Sequence, residues 1–465
     1  MRGMTTRDHR SSILVTALSA AFGAGLIQAT SYLTQIVAGN QISEHESVQI
    51  ALLLVAGVFI LIAVYVGSIV TANTFATIIA GRTRSIALMR LIGSSASSLR
   101  RAVAREGLLV GVVGAAIGAV VGLSLTVAGI RIAVAAGSVP ALDYGSANPL
   151  IVLPTVIVVL STWAASWVGS RRVLRVTPIQ ATGTAQEATR EETLRRPVRN
   201  AVAAVLFFGG MLLLALGAAL GLVSMLGFLL AFVGGVVSFS GVVVGAHLVM
   251  PLALRLSGRL LGRSAPAKLA AENALRYPER SSRTAIGLVI GVTLITTFAV
   301  AAQGYSSMIE QAMATEPDSY RGADQVLSVT LGVFTALTGF SALIAAFGMI
   351  NNLSLSVLQR TRELGLLRAL GFTGRQVRRM IVAESAQMTI AAVGLGLILG
   401  VVYGWAGAQS LLGSIWGSPG LVWPSVPWLL LVILAVGAAL LTLAAAQAPA
   451  RRAVSIVPVA ALALD

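Results

Sequence analysis

The side chains in this 465-residue sequence that could do chemistry gather in one short pattern that occurs twice. Residues 82–93 read RTRSIALMRLIG and residues 360–371 read RTRELGLLRALG, so three arginines and a closing glycine recur at one spacing. Guanidinium groups stay charged and present a fork of donors, which suits them to gripping carboxylates or phosphates and not to acid–base catalysis. At helical spacing, Arg82, Arg84 and Arg90 fall mostly opposite Ile86, Leu88, Met89 and Leu91. Gly93 and Gly371 follow the last turn, where a glycine suits a left-handed cap. A basic segment comes next, Ser94–Arg101 in one copy and Phe372–Arg379 in the other. The pattern predicts a helical stalk, a sharp turn and then a small surface helix. Such a helix could lie on lipid, but its recurrence at matched positions favours a docking site for another protein.

Other chemistries lack their residues. A phosphate-cradling loop needs G-x-x-x-x-G-K-[ST], and the one lysine, Lys268, is preceded by Ala267. Cysteine is absent, which removes disulfide and thiolate chemistry. His9, His45 and His247 lie far apart in sequence, a poor basis for zinc. No G-x-S-x-G sits in a strand-to-helix setting, and no apolar span pairs carboxylates, so proton-relay chemistry is disfavoured too. The chain is expected to hold no catalytic residue, metal or cofactor of its own.

The elements that must position the arginines follow from composition. Hydrophobic residues make up 56% of the chain and charged ones 11%, against about 25% charge in a soluble domain. Such a chain cannot cover its surface with polar groups in water. Apolar runs of about 20 residues, enough for a bilayer, recur near 12–37, 49–72, 107–135, 149–169, 201–222, 225–250, 284–304, 327–351, 383–407 and 427–448. Each must be helical, because lipid cannot satisfy backbone polar groups. The first run is too long for a cleaved signal peptide and is expected to be retained. The fold class is an all-α integral membrane protein of about ten spans.

Charge sets the orientation. With the N-terminus inside, segments 1–11, 81–106, 170–200, 251–283, 359–384 and 449–465 carry 31 of the 33 Lys and Arg residues, while the acidic residues divide 10 inside and 7 outside. This is the positive-inside pattern, with both termini cytoplasmic. Most of these arginines anchor helix ends and attract anionic lipid. Their place on short loops argues against nucleic-acid binding.

The duplication extends past the twelve residues. At an offset of 278, Asn73 pairs with Asn351, Arg100 with Arg378, Arg101 with Arg379, Glu106 with Glu384, Gly118 with Gly396 and Gly122 with Gly400. RRVLRVTPIQA at 171–181 pairs with RRAVSIVPVAA at 451–461. The reading divides the chain into a first four-span unit (1–182), a linker with two central spans and basic loops (183–279) and a second four-span unit (280–465). An even number of spans per unit gives both copies one orientation, as in parallel repeats. Ser68, Thr71 and Asn73, with Asn351 and Asn352, are candidates for a polar substrate path, although helix–helix hydrogen bonding explains them as readily. Gly114, Gly118 and Gly122, like Gly396, Gly400 and Gly404, predict close helix packing. Trp416, Trp423 and Trp428 fit an interfacial belt.

RTRELGLLRALGFTGRQVRRMIVAES at 360–385 resembles the signature of FtsX-like permease domains of MacB-type ABC transporters, and NALRYPERSSRTA at 273–285 is similar to the entry of such a domain. The repeated units cover about 360 residues. The resemblance implies two FtsX-like four-helix repeats joined by two linking helices, the ten-span plan of Bce-like permeases without their large external domain. It also implies that the segment after the glycine docks on an ATPase. On this carry-over the coupling residues are Arg84, Arg90, Gly93, Ser97, Arg100 and Arg101 in the first copy, and Arg362, Glu363, Arg368, Gly371, Arg375, Arg378 and Arg379 in the second. Glu363 replaces Ser85 of the first copy, so the two docks are expected to be unequal.

The function implied is the membrane subunit of an ABC exporter, with ATP and Mg on a separate ATPase bound in two copies. Short external loops, about 38–48 and 305–326, favour a hydrophobic or amphipathic substrate taken from the bilayer, such as an antimicrobial peptide, a lipid or a drug. The alternative is an FtsX-like regulator that transmits ATPase motion without transport. Arginine in place of lysine and abundant Ala, Gly and Val point to a GC-rich bacterium and its cell membrane.

Overall fold

A computed structural model describes residues 6–38, 83–137, 139–144, 147–171, 196–259, 278–317, 370–415 and 420–455, with scattered positions in 57–75, 269–275, 327–346 and 366–368. Ten helices are described and, among these residues, no strand: α1 (Thr6–Ala38), α2 (Thr83–Leu91), α3 (Ala96–Ala135), α4 (Val152–Gly169), α5 (Pro197–Leu220), α6 (Gly227–Val244), α7 (Ala246–Gly258), α8 (Pro278–Thr315), α9 (Gly374–Leu412) and α10 (Trp428–Ser455). Seven of them are long and apolar enough to cross a membrane, and Trp428–Leu443 within α10 is a shorter apolar stretch. The protein is an all-α integral membrane protein. The spans read near 49–72 and 327–351 lie largely outside the described residues.

The chain divides into two compact units, Met1–Gln186 and Glu187–Asp465. In the first, α3 packs along α1 and against α4. Glycines make the α1 contact possible: a Cβ on Gly114 would lie 2.8 Å from Thr16 Cβ, and one on Gly118 or Gly122 would overlap the carbonyl oxygen of Ala17 or Ala21. Since Gly114, Gly118 and Gly122 meet successive turns of α1 in rising order, the two helices run parallel. α4 returns antiparallel, with Gly107 facing Ser166 and Gly111 facing Val159. Asn148 caps the 3-10 turn that opens α4, and its backbone N–H donates to Gln28 Oε1 at 2.9 Å, tying that loop to α1.

The second unit repeats the arrangement. Gly396 faces Val292, Gly400 faces Thr296 and Gly404 faces Val300, so α8 and α9 run parallel. The α10 helix joins them through Thr389 and Thr442, whose hydroxyls are 2.7 Å apart, a contact of about 1 kcal/mol in a membrane. The two middle helices belong to this unit. They form an antiparallel hairpin in which Gly210 meets Ser238, Gly217 meets Ala231 and Gly241 meets Phe207 at backbone distance. The hairpin leans on α9, where Ser238 Oγ donates to Tyr403 Oη at 2.9 Å and Leu214, Ala218, Ala231 and Ala406 form a buried cluster.

Three expectations need correction. The basic segments are not separate surface helices. Ser94–Arg101 runs into α3, a single helix of 40 residues, and Phe372–Arg379 runs into α9, of 39. No proline follows either turn, so nothing local ends the helix. At 1.5 Å per residue α3 is about 60 Å long, roughly twice a hydrocarbon core, so its basic end projects well outside the membrane. The loop expected at 305–326 is helical as far as Thr315, because α8 continues until Pro317, which disfavours helix in the residue before it. The span placed at 225–250 ends at Val244, where Gly245 interrupts the helix before α7.

Candidate functional site: two matched elbows

Both RTR segments close on the same local geometry. In the first unit Gly93 has φ 98°, its N–H donates to Arg90 O at 3.2 Å, and the Ser94 N–H donates to Met89 O at 2.9 Å. In the second, Gly371 has φ 98°, its N–H donates to Arg368 O at 3.1 Å, and the Phe372 N–H donates to Leu367 O at 3.0 Å. This pair of bonds is the Schellman closure, and the left-handed residue it needs is cheap only for glycine. Two residues later a hydroxyl restarts the helix. Ser95 Oγ accepts from the Ser98 N–H at 3.1 Å, and Thr373 Oγ1 accepts from the Gln376 N–H at 3.3 Å, with Gln376 Oε1 accepting from the Thr373 N–H at 2.8 Å as a capping box. A stop and a start separated by two residues make an elbow.

Each elbow has a small core of its own. Ile86, Ala87 and Leu99 are buried together in the first, with Met89 and Val103 against them. Val377, Met380 and Ile381 are buried in the second with Ala270, and Leu367 and Phe372 pack on them. The outer surface pairs just as closely. Leu88 is 49% exposed and its match Leu366 is 51%, while Ile92 is 84% exposed and its match Leu370 is 71%. Exposed aliphatic tips beside arginines are a feature that reading the arginines alone missed. The signal was present, since Leu88–Ile92 and Leu366–Leu370 are each four residues apart on the helix.

The expected coupling residues divide as follows. Ser97, Arg101, Arg375, Arg378 and Arg379 are exposed on the first turns of α3 and α9, and Ser97 Oγ lies 3.1 Å from Ser95 Oγ. Arg90 and Arg368 are half-buried on the stalk side of each turn. Arg84 lies in α2, and Arg362 and Glu363 fall outside the described residues. Arg100 is held within its own unit: its Cζ stands 4.0 Å from the centre of the Trp167 ring and its Nη2 donates to Trp167 O at 3.2 Å. It therefore ties the elbow to the end of α4. The position matching Trp167 in the second copy is Gln447, which is not aromatic.

That tether can be measured directly. A double-mutant cycle with Arg100→Ala and Trp167→Leu, read on unfolding in detergent, is expected to show coupling of about 1 kcal/mol, the size of a partly desolvated cation–π contact. Additive single effects at Arg100 and Trp167 would rule the tether out.

Of the polar-path candidates, Ser68 Oγ donates to its own helix at Val64 O, 2.6 Å away, and Thr71 is buried. Asn73, Asn351 and Asn352 lie outside the described residues. Trp423 and Trp428 are 90% and 72% exposed, with Trp416 outside the described residues. The loop that carries Trp423 is fixed to α9, since Trp405 Nε1 donates to Val422 O at 2.6 Å and Gln409 brackets Gly420 and Val422.

The sequence pattern of the family described as FtsX-like permease C-terminal matches this chain twice, at residues 57–178 and 335–458, together more than half of its length. The chain belongs to the FtsX-like permease family. Each match contains one whole elbow and the long helix that follows it. Relatives of this FtsX-like permease include the uncharacterized ABC transporter permease YknZ of Bacillus subtilis, 31% identical over 101 residues, which are 22% of this chain and 24% of the relative. The macrolide export ATP-binding/permease protein MacB of Bdellovibrio bacteriovorus is 30% identical over 126 residues, 23% of this chain and 19% of that protein. The ABC transporter permease YtrF of Bacillus subtilis is 35% identical over 65 residues, 14% of this chain and 15% of the relative. The chain thus spans a quarter or less of the length of these relatives.

Proposed function

We propose that this FtsX-like permease is the membrane subunit of an ABC exporter, driven by a separate ATPase that docks beneath both elbows. The observation that carries the reading is the doubled elbow, with its exposed aliphatic tip, exposed arginines and left-handed glycine in each copy. The sequence holds no G-x-x-x-x-G-K-[ST], so ATP and Mg belong to the partner. The relatives' names, which include permeases and a macrolide exporter, support the same class. Two elbows call for two ATPase subunits per chain. The substrate is hydrophobic or amphipathic, in keeping with apolar helices that expose leucine and valine along much of their length. The membrane is the bacterial plasma membrane, and the elbows and both termini face the cytoplasm, as the arginine distribution supports.

The test is co-purification of the chain with its ATPase followed by a mass measurement. One permease with two ATPases is the expected result, and a complex of two with two overturns it. In the reconstituted complex, amphipathic peptides or lipids are expected to raise ATP hydrolysis, whereas a flat response to all of them removes export from the proposal.

A further inference from the structure

The short helix α7 does not run with the bundle. Its first residue, Ala246, accepts a hydrogen bond at its carbonyl from Ser282 Oγ of α8 at 3.0 Å. Near its other end, Gln387 Nε2 of α9 donates to Leu254 O at 2.8 Å, and a Cβ on Gly258 would stand 2.9 Å from that same Nε2. The parallel pairing of α8 and α9 keeps a constant difference of 104 residues, as in Gly396 with Val292 and Gly400 with Thr296. Ser282 is therefore level with Ala386, one residue from Gln387. The two contacts of α7 with the α8–α9 pair lie at one depth, although Ala246 and Leu254 are about 12 Å apart along the helix. The helix lies across the pair.

Its depth is that of a membrane boundary. In sequence the apolar stretch of α8 begins past Arg283, just beyond Ser282, and α6, itself a candidate span, ends one residue before α7 starts. The corner is fastened by polar bonds. Arg199 Nη2 lies 2.6 Å from His247 Nδ1, and His247 Nε2 lies 2.8 Å from Asn200 Oδ1. One face of α7, with His247, Met250, Leu254 and Ser257, is buried. The opposite face carries Leu252 and Leu256, 62% and 56% exposed, with exposed Arg255 and Arg259 beside them.

We infer that α7 is an in-plane membrane-surface helix whose Arg255 and Arg259 bind anionic phospholipid headgroups while Leu252 and Leu256 sit among the upper acyl carbons. Paired leucines and paired arginines on one exposed face match the two chemistries met at a bilayer boundary. The ATPase is the poorer occupant. The start of α9, next to the elbow, lies about 18 Å along the helix from the level of Ala386, so a protein docked on the elbows sits well below α7. The inference rests on the membrane reading of the spans and not on ATPase docking, and it is tested on the permease alone.

The absence of native cysteine makes the experiment direct. Spin labels on Leu252→Cys and Leu256→Cys are read in phosphatidylcholine vesicles, with and without about one-quarter phosphatidylglycerol to supply the anionic surface. Both labels are expected to be relaxed more by oxygen than by a water-soluble nickel chelate. Phosphatidylglycerol retained on the permease in native mass spectrometry is expected to weaken about thirtyfold in the Arg255→Gln/Arg259→Gln variant, at about 1 kcal/mol per arginine near an anionic surface. The Arg255→Lys/Arg259→Lys variant is expected to keep it, which separates lost charge from a damaged fold. Stronger relaxation of both labels by the nickel chelate overturns the proposal, as does lipid retention that is unchanged in the glutamine variant. Shielding of the labels that appears only when the ATPase is added assigns α7 to protein docking and overturns it as well.

Discussion

Ile92→Asp combined with Leu370→Asp is expected to abolish capture of the ATPase while leaving both units folded. Both side chains project from the outer corner of an elbow, at 84% and 71% exposure, and neither belongs to the small core behind it. Surface substitutions of this kind usually cost the fold no more than about 0.5 kcal/mol. At an interface the accounting differs. An aliphatic tip seated in a partner's pocket is the sort of residue whose loss costs about 2 kcal/mol or more, and an unpaired carboxylate in that pocket costs further. Each single variant is therefore expected to weaken its own dock at least about thirtyfold. On the proposed two docks per chain, single variants are expected to yield a permease with one ATPase and the double variant a bare permease, read by the mass of the purified complex. Binding unchanged in the double variant would remove the elbows from the interface.

The second large effect lies inside the units. Gly118→Leu is expected to disrupt packing of the first unit, and Gly400→Leu that of the second. At Gly118 a side chain would overlap the carbonyl oxygen of Ala17, and at Gly400 a Cβ would stand 2.8 Å from Thr293 O, both backbone atoms that cannot turn aside. Overpacking of this kind costs about 1–3 kcal/mol, and more when backbone must move, and in lipid the close packing that small residues permit is a principal force joining two helices. Gly129 is the control. It lies on the same helix as Gly118 and a Cβ there meets nothing within 4 Å, so Gly129→Ala is expected to be neutral or mildly stabilising. Thermal unfolding in detergent, followed by loss of the monodisperse species, separates the two glycines. Equal behaviour of Gly118→Leu and Gly129→Ala would refute the packing role.

What could be read from the sequence was local. The elbow glycines announced themselves because a Schellman closure needs a residue that tolerates φ near 98°, and Gly93 and Gly371 recur at one offset. The length of α3 and α9 was misread because a basic stretch resembles the end of something, whereas a helix ends only where its backbone is stopped, and neither helix contains a proline. The hold of Trp167 on Arg100 spans 67 residues of sequence and leaves no local trace. The middle hairpin is an intermediate case. Gly210 and Gly217, and Gly227, Gly234 and Gly241, are spaced by seven, but among 48 glycines that spacing stands out only once the partner helix is known. The direction of α7 was out of reach for the same reason, since it is set by Ser282 and Gln387 from two other helices.

The unbroken course of α3 has a mechanical consequence. A stiff rod gripped part-way along its length behaves as a see-saw. From its basic end at Ala96 to the tight crossing at Gly118 the rod measures about 33 Å, and from there to Ala135 about 26 Å. A sideways push delivered at the basic tip emerges at the opposite tip reversed in direction and slightly reduced in amplitude, with no joint in between to absorb it.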